Sequence, residues 1–327
     1  MKSQLFLWGL RLRKFGTLLA FLVVVGIFWW QKPETFMTLP NWLNITQQVS
    51  ILGVVAFTMT VVMAMGDFDL SVGSTASLAG IVAAILLQQN QPIVVAVAAA
   101  LATGLLGGML NGVLVSYVGI SPFVTTLGTL TVFSGLAFHI SSGKTIFGRV
   151  IPAEVGNFAR GGIVLGMVNE QIVRLPNLTI LALVILALVW VILEQTPFGR
   201  RLYAIGGNKE AAHLSGVRVR FLRLLAFAAT GVGAAIAGLM LLSRLASANP
   251  TQGDGLMLNA IAAVFLGMTM SEEGEPHVLG TLLGVLILGV LVNGLTQMQI
   301  DSYIQQILTG SIIILAVMLS SLSKRLS

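Results

Sequence analysis

The sequence contains no cysteine and few charged residues, and both absences narrow the class of protein. Without a thiol anywhere in its 327 residues, the chain has no disulfide, no thiolate metal site and no cysteine nucleophile. Only 9% of the residues are Asp, Glu, Lys or Arg, whereas an ordinary soluble domain has about 25%. Hydrophobic residues make up 56% of the chain, so a soluble fold would lack the charged surface that it needs. The composition therefore predicts an all-α polytopic membrane protein.

Ten apolar runs are candidates for membrane crossings. Eight of them approach the roughly 20 residues that a helix needs to cross the hydrocarbon core: Phe15–Trp30, Ile45–Met65, Pro92–Tyr117, Phe123–Ile140, Leu178–Leu193, Leu224–Leu242, Val278–Leu295 and Tyr303–Leu322. Two shorter runs, Thr75–Leu87 and Met257–Met270, are interpreted as short or tilted helices or as re-entrant segments. The prediction is a single membrane domain over residues 1–327 with about ten transmembrane helices, two of them short.

Lysine and arginine cluster in three places, which fall on one side of the membrane if the chain crosses it ten times. The clusters are Lys2, Arg11, Arg13 and Lys14; Arg200, Arg201, Lys209, Arg218, Arg220 and Arg223; and Lys324 and Arg325. Since positively charged loops stay in the cytoplasm, both termini and the loop at 195–223 are predicted to be cytoplasmic. Residues 141–176 are predicted to form an irregular loop outside. The same bias explains the net charge of +6, so nucleic acid is not an expected partner.

Two parts of the chain, residues 44–141 and 224–322, follow the same plan. Each has a long span that leads to a Gly-Asp pair, at 66–67 and at 253–254, then a short helix and two long spans. The first part begins outside and the second begins inside in the predicted topology. Such an inverted repeat is common among transporters, where the solute path lies near the membrane midplane at broken helices.

The stretch GDFDLSVGS places Asp67 and Asp69 at the predicted break between a long span and a short helix. One interpretation is that these carboxylates cap the new helix, whose free amide groups and dipole favour a negative charge. The alternative is that Asp67, Asp69 and Ser71 line the solute path, since polar groups inside membranes usually face a cavity or a partner. Asn111 and Asn293 lie within long spans and are candidates either for hydrogen bonds between helices or for contact with the solute.

The longest charged loop contains GGNKEAAHLSGV and predicts a short helix from Lys209 to Ser215. Asn208 is a favourable N-cap, Glu210 suits the first turn and Gly216 can end the helix. A helix of this kind is either a connector or a structure that docks into a groove on a partner.

Four motifs occur along the chain: GDFDLSVGSTASLAG, NGVLVSYVGISPFVTTLGTL, GGNKEAAHLSGV and SRLASANPTQGDGLMLNAIAAVFLG. Together they resemble the permeases of bacterial ABC sugar importers. The group concerned is the ribose, arabinose and xylose group, within the superfamily of branched-chain amino acid and simple-sugar permeases. The resemblance runs from about residue 40 to the C-terminus.

The resemblance implies a permease subunit of the bacterial cytoplasmic (inner) membrane that imports a simple sugar, with a pentose favoured. Two permeases, a second copy or a sister chain, would form the pore. An extracytoplasmic sugar-binding protein would deliver the sugar, and ABC ATPase subunits would drive the cycle. The segment that couples to the ATPase would contain Asn208, Glu210, Ala211, Ala212 and Gly216.

The sequence agrees with ATP hydrolysis in a separate subunit, because it lacks the G-x-x-x-x-G-K-[ST] loop that binds phosphates. ATP and magnesium would bind in the partner ATPase, and this chain is expected to have no catalytic residue, cofactor or metal of its own. Two other hypotheses stay open at this point. An ion-coupled secondary sugar carrier would use Asp67 or Asp69, and an intramembrane enzyme would need a nucleophile–base pair or metal ligands, which the spans do not show.

Overall fold

The computed structural model describes residues 2–168, 171–271, 274–312 and 314, and this part of the chain is mainly helical. The α-helices are α1 Lys2–Gln31, α2 Leu39–Met63, α3 Val72–Gln88, α4 Ile93–Val113, α5 Pro122–Ser141, α6 Ala153–Arg160, α7 Asn177–Trp190, α8 Pro197–Gly207, α9 Lys209–Leu214, α10 Val219–Leu245, α11 Leu256–Met268 and α12 Val278–Gln297. Residues 302–312 are also helical. Two π-helical segments, Leu114–Val118 and Val191–Gln195, extend α4 and α7. The strands are β1 Ile146–Phe147, β2 Gly162–Val168, β3 Gln171–Pro176 and β4 Ser247–Ala248.

Most of the predicted crossings are present as apolar helices. In the described ranges, six helical segments are long and apolar enough to cross a membrane: Leu39–Met63, Ile93–Val118, Pro122–Ser141, Asn177–Gln195, Val219–Leu245 and Val278–Gln297. Three shorter apolar helical stretches correspond to the remaining predictions. Thr17–Gln31, within α1, matches the first predicted crossing, and Val72–Gln88 and Leu256–Met268 match the two short ones. The last predicted crossing, Tyr303–Leu322, lies partly outside the described residues. The prediction of an all-α polytopic membrane protein is confirmed.

The chain divides into two compact units. One consists of Met1–Val49 and Asn259–Ser327, and the other of Ser50–Leu258. In the first unit the ring of Phe28 on α1 packs against Gly294 on α12, where a larger residue would collide with it. The single domain over 1–327 and the inverted repeat of 44–141 and 224–322 stay predictions.

Close packing of α4 against α10 forms the centre of the second unit. Gly104, Gly108 and Gly112 recur at every fourth position of α4 and therefore lie on one face of that helix. The backbone of α10 approaches this face so closely that a methyl group on Gly104 would collide with the carbonyl oxygen of Gly231. Small residues allow such an approach between helices in a membrane.

The short helix α3 is buried along most of its length. Neighbouring segments approach α3 closely where small residues meet. Gly238 of α10 lies against the backbone of Ala76 of α3, and Gly73 of α3 lies against the carbonyl of Gly253. Because α3 has only 17 residues, it would span little more than about 25 Å. The burial of its N-terminal end explains part of how so short a segment is accommodated, since the backbone groups there are shielded by protein rather than exposed to lipid, whereas Gln88 at the other end is exposed.

The prediction of an irregular loop at 141–176 is wrong for much of its length. Helix α6 and an antiparallel hairpin of β2 and β3 occupy it, with a bulge between Val164 and Gly166. Strand β1 pairs with β4, so that Ile146 lies opposite Ala248. The prolines that suggested irregularity, Pro152 and Pro176, instead stand immediately before α6 and α7, where a helix needs no amide hydrogen from them.

The packing of α4 on α10 predicts that Gly104→Ala will destabilise the protein. The added methyl group must displace the backbone of α10, and overpacking of this kind typically costs about 1–3 kcal/mol. Thermal unfolding of the purified protein in detergent should therefore begin at a lower temperature. The matched control is Gly128→Ala on α5, because a β-carbon there would meet nothing within 4 Å. Equal melting temperatures for the two variants would contradict the packing described.

Candidate functional site

A buried ion pair joins the chain after α2 to the second turn of α10. Helix α2 is followed by a turn in which Gly66 has a φ of +78°, a left-handed conformation that favours glycine. The next residue, Asp67, receives two hydrogen bonds from Arg223: Nε donates to Oδ2 at 2.7 Å and Nη2 donates to Oδ1 at 2.8 Å. The two side chains are 11% and 8% exposed. Removing one partner of such a pair would leave an uncompensated buried charge, at a cost of about 3–5 kcal/mol.

Asp69 lies two residues further along and makes a local turn. Its Oδ1 accepts from the backbone amide of Ser71 at 2.9 Å and from the Ser71 hydroxyl at 2.6 Å. Ser71 is the N-cap residue of α3. The capping interpretation therefore needs correction: Asp69 organises the residue that precedes the helix, and Asp67 is occupied by Arg223.

The polar contacts continue from Ser71 into α4 and α5. Asn111 Nδ2 donates to Ser71 Oγ at 2.9 Å, and Thr129 Oγ1 donates to Asn111 Oδ1 at 2.7 Å. All three residues are buried. The two ends of the Asn111 amide are thus used to hold three helices together, which favours the interhelical interpretation of this asparagine.

Of the five residues predicted for the solute path, the structure brings together Asp67, Asp69, Ser71 and Asn111. Asn293 belongs to the other compact unit, where its Oδ1 accepts from Gln297 Nε2 at 3.1 Å. Within the described part of the chain, the buried Oδ2 of Asp69 has no hydrogen-bond partner. Asp69 therefore keeps one carboxylate oxygen that could accept a hydrogen bond from a solute.

The predicted short helix in the charged loop is confirmed as α9. Asn208 Oδ1 accepts from the amides of Glu210 at 3.1 Å and Ala211 at 2.9 Å, which is the N-cap arrangement. Gly216 ends the segment with a φ of +82°. Ala212 is buried, whereas Glu210 and Ala211 are exposed. The helix therefore has an anchored face and a free one.

An open cleft of about 1020 Å³ lies beside α9. It is bounded by α9, by the chain leading into α10 and by the π-helical end of α4. Its charged lining consists of one carboxylate, Glu210, and four cationic side chains, Lys209, Arg218, Arg220 and Arg223. Burial lowers the pKa of Lys209 below its usual value, and the neighbouring positive charge of Arg223 lowers that pKa further. Because Asp67 compensates the charge of Arg223, the exposed Lys209, Arg218 and Arg220 are the cations here that attract anionic groups.

In the sequence, Arg223 is one of the charges of the loop, and neither its pairing with Asp67 nor the role of Thr129 is apparent there. A signal for Arg223 was present in the helical spacing, because Arg223, Phe227 and Thr230 lie on the same buried face of α10. No comparable pattern marks Thr129.

Comparison with known proteins agrees with the fold and the motifs. Residues 41–317 match the family described as branched-chain amino acid transport system / permease component. The chain belongs to this family. It is therefore a multi-pass membrane permease, and the resemblance drawn from its motifs is confirmed. No solved structure matches the chain at a significant level.

Among the relatives is the ribose import permease protein of Bacillus subtilis strain 168, which is 40% identical over 309 residues, 94% of this chain and 92% of that protein. The ribose import permease protein of Escherichia coli K12 is 37% identical over 306 residues, 93% and 92% of the two chains. The galactose/methyl galactoside import permease protein of E. coli K12 is 35% identical over 326 residues, 95% of each.

The polar network predicts that Thr129→Val will lower the free energy of unfolding. The change keeps the shape of the side chain but leaves the buried Asn111 Oδ1 without its donor, at a cost of about 1–3 kcal/mol. Thr131→Val is the matched control, because Thr131 lies on the same helix, is exposed and bonds only back to the carbonyl of Leu127 in the described contacts. Denaturant unfolding in detergent should separate the two variants, and similar losses would argue against the network.

Proposed function

We propose that this chain is the membrane permease subunit of an ATP-driven importer of a simple sugar, with ribose as the first candidate. The observation that carries the proposal is the 40% identity with a ribose import permease, which extends over more than nine-tenths of both chains. The relatives named for galactose are similar over the same length. Sugars are thus better supported as substrates than the branched-chain amino acids in the name of the family.

ATP hydrolysis takes place, in this proposal, in separate ABC ATPase subunits that contain the bound ATP and magnesium. Two features of the chain support such a partner. The sequence has no phosphate-binding loop of the G-x-x-x-x-G-K-[ST] type. In addition, α9 presents the exposed Glu210 and Ala211 next to the cation-lined cleft, an arrangement suited to a short helix docking in a groove.

The charges indicate what the matching ATPase surface contains. Because Lys209, Arg218 and Arg220 line the cleft and are exposed, carboxylates on the ATPase would complement them. The coupling segment is then Asn208, which shapes the start of α9, the exposed Glu210 and Ala211, the buried Ala212 that anchors it, and Gly216, which ends it.

The orientation of the chain in the membrane follows from the assignment of α9 to the ATPase. The loop at 195–223 and both termini lie in the cytoplasm, and residues 141–176 lie outside, where α6 and the hairpin are available to the extracytoplasmic sugar-binding protein. A second permease, identical or a sister chain, completes the pore. The excess of Lys and Arg in the loops assigned to the cytoplasm supports this orientation.

The work of such a permease is conformational, and no bond in the sugar is made or broken. Closure of the ATPase pair displaces the coupling segments, and the helices around the sugar path move between outward-open and inward-open states. Each state must differ in its contacts with sugar or ATPase for the two to be linked. An ion-coupled carrier is less well supported, because Asp67, one of its two candidate carboxylates, is already neutralised by Arg223.

The function is tested by ribose uptake into proteoliposomes that contain this permease, its ATPase and a ribose-loaded binding protein. Uptake should require ATP and should survive the collapse of ion gradients. Ala211→Trp, which enlarges the free face of α9, should abolish both ATP-dependent uptake and co-purification of the ATPase while the permease stays folded in detergent.

The control is Ala153→Trp, a similarly exposed alanine in the first turn of α6, on the side assigned to the exterior. It should leave binding of the ATPase unchanged. Uptake that proceeds without ATP and stops when the ion gradient is removed would refute the proposal.

A further inference from the structure

We propose, on the basis of the function above, that the ion pair between Asp67 and Arg223 transmits the movement of the coupling segment to the helices around the sugar path. Both residues are positioning residues in this account. They contact neither ATP nor sugar, and they act by fixing the start of α10 to the break that comes after α2.

The first support is that the chain before α9 and the chain after α9 both contact the same short stretch, residues 64–67. Before α9, Gly206 of α8 packs so closely on the end of α2 that a methyl group there would collide with the carbonyl of Ala64. After α9, Arg223 binds Asp67, three residues beyond Ala64. A force applied to α9 therefore reaches residues 64–67 from both sides.

The second support is the geometry of the pair. Two parallel hydrogen bonds fix the direction of the guanidinium group as well as its distance, which a single contact does not do. The pair is buried, so water does not readily replace either partner. Arg223 lies within the first turns of α10, a helix that packs along its length on α3 and α4. Moving Arg223 thus moves a rigid element rather than a loose loop.

The third support comes from the segments on either side of Asp67. Two residues later, Asp69 begins the hydrogen-bonded series that passes through Ser71 and Asn111 to Thr129. Residue 66, just before the pair, is a glycine in a left-handed turn with open space around it, which suits a hinge. The pair therefore connects the coupling segment to a movable joint, beyond which the chain bonds to α4 and α5.

One double variant distinguishes an ion pair that only stabilises the fold from one that transmits movement. In Asp67→Asn with Arg223→Gln both charges are removed together, so no buried charge is left unpaired and the fold can be retained. A stabilising role alone predicts that this double variant transports normally once it is folded. A transmitting role predicts that the weaker neutral contact lets α9 move without moving the break.

The experiment compares wild-type, double-variant and Arg201→Gln permeases in proteoliposomes with the ATPase and binding protein. Arg201 is an exposed arginine of α8 and serves as the matched control. Three quantities are measured: the melting temperature, the amount of ATPase bound, and the sugar imported per ATP hydrolysed. We expect the double variant to bind the ATPase normally and to import about ten-fold less sugar per ATP, within the usual range of coupling between sites.

Normal sugar import per ATP in a folded double variant overturns the inference. If the double variant does not fold, Arg223→Lys decides, since it keeps the charge but loses the paired hydrogen bonds; we expect a reduced ratio of sugar to ATP, and an unchanged ratio overturns the inference. Failure of the proposed function is distinguishable, because the wild-type permease would then bind no ATPase or show no ATP-dependent uptake.

Discussion

A buried charge needs a partner inside the protein, and this constraint governs how the break at residues 64–71 is built. The helix stops, so its backbone and its carboxylates must find partners inside the protein. Arg223 neutralises Asp67, and Ser71 satisfies one oxygen of Asp69. The arrangement holds only if α10, α4 and α5 are in place, so the local break and the packing of the surrounding helices depend on each other.

The same region shows how rigidity and movement are combined. Glycines on α4 bring its backbone against α10, and the resulting contact leaves little room for sliding. Gly66 itself is exposed instead, with open space where a side chain would lie. Packed interfaces tend to switch between discrete arrangements rather than deform continuously. A rigid pair of helices beside a glycine turn can therefore support the outward-open and inward-open states. Asp69, buried and with one oxygen left unpaired in the described region, lies just beyond that turn.

The sequence predicted those features that depend on neighbours along the chain. Apolar runs gave the helices, and the order Asn208, Glu210, Gly216 gave α9 with its cap and its end, because these signals act within a few residues. The pairing of Asp67 with Arg223 joins residues 156 positions apart and results from tertiary packing. The helical spacing places Arg223 on a buried face, but it does not identify the partner. The hairpin at 162–176 was missed for another reason: prolines and glycines suggested an irregular chain, although the prolines only mark the starts of the next helices.

In the proposed mechanism, α9 meets a separate motor and passes its movement to residues 64–67. The most direct measurement is the structure of the purified complex of permease and ATPase, with and without bound ATP. We expect residues 208–216 to lie in a groove of the ATPase, and Arg223 to stay bonded to Asp67 while the helices change position between the two states. Residues 208–216 projecting into solvent, away from every neighbouring subunit, would contradict the mechanism.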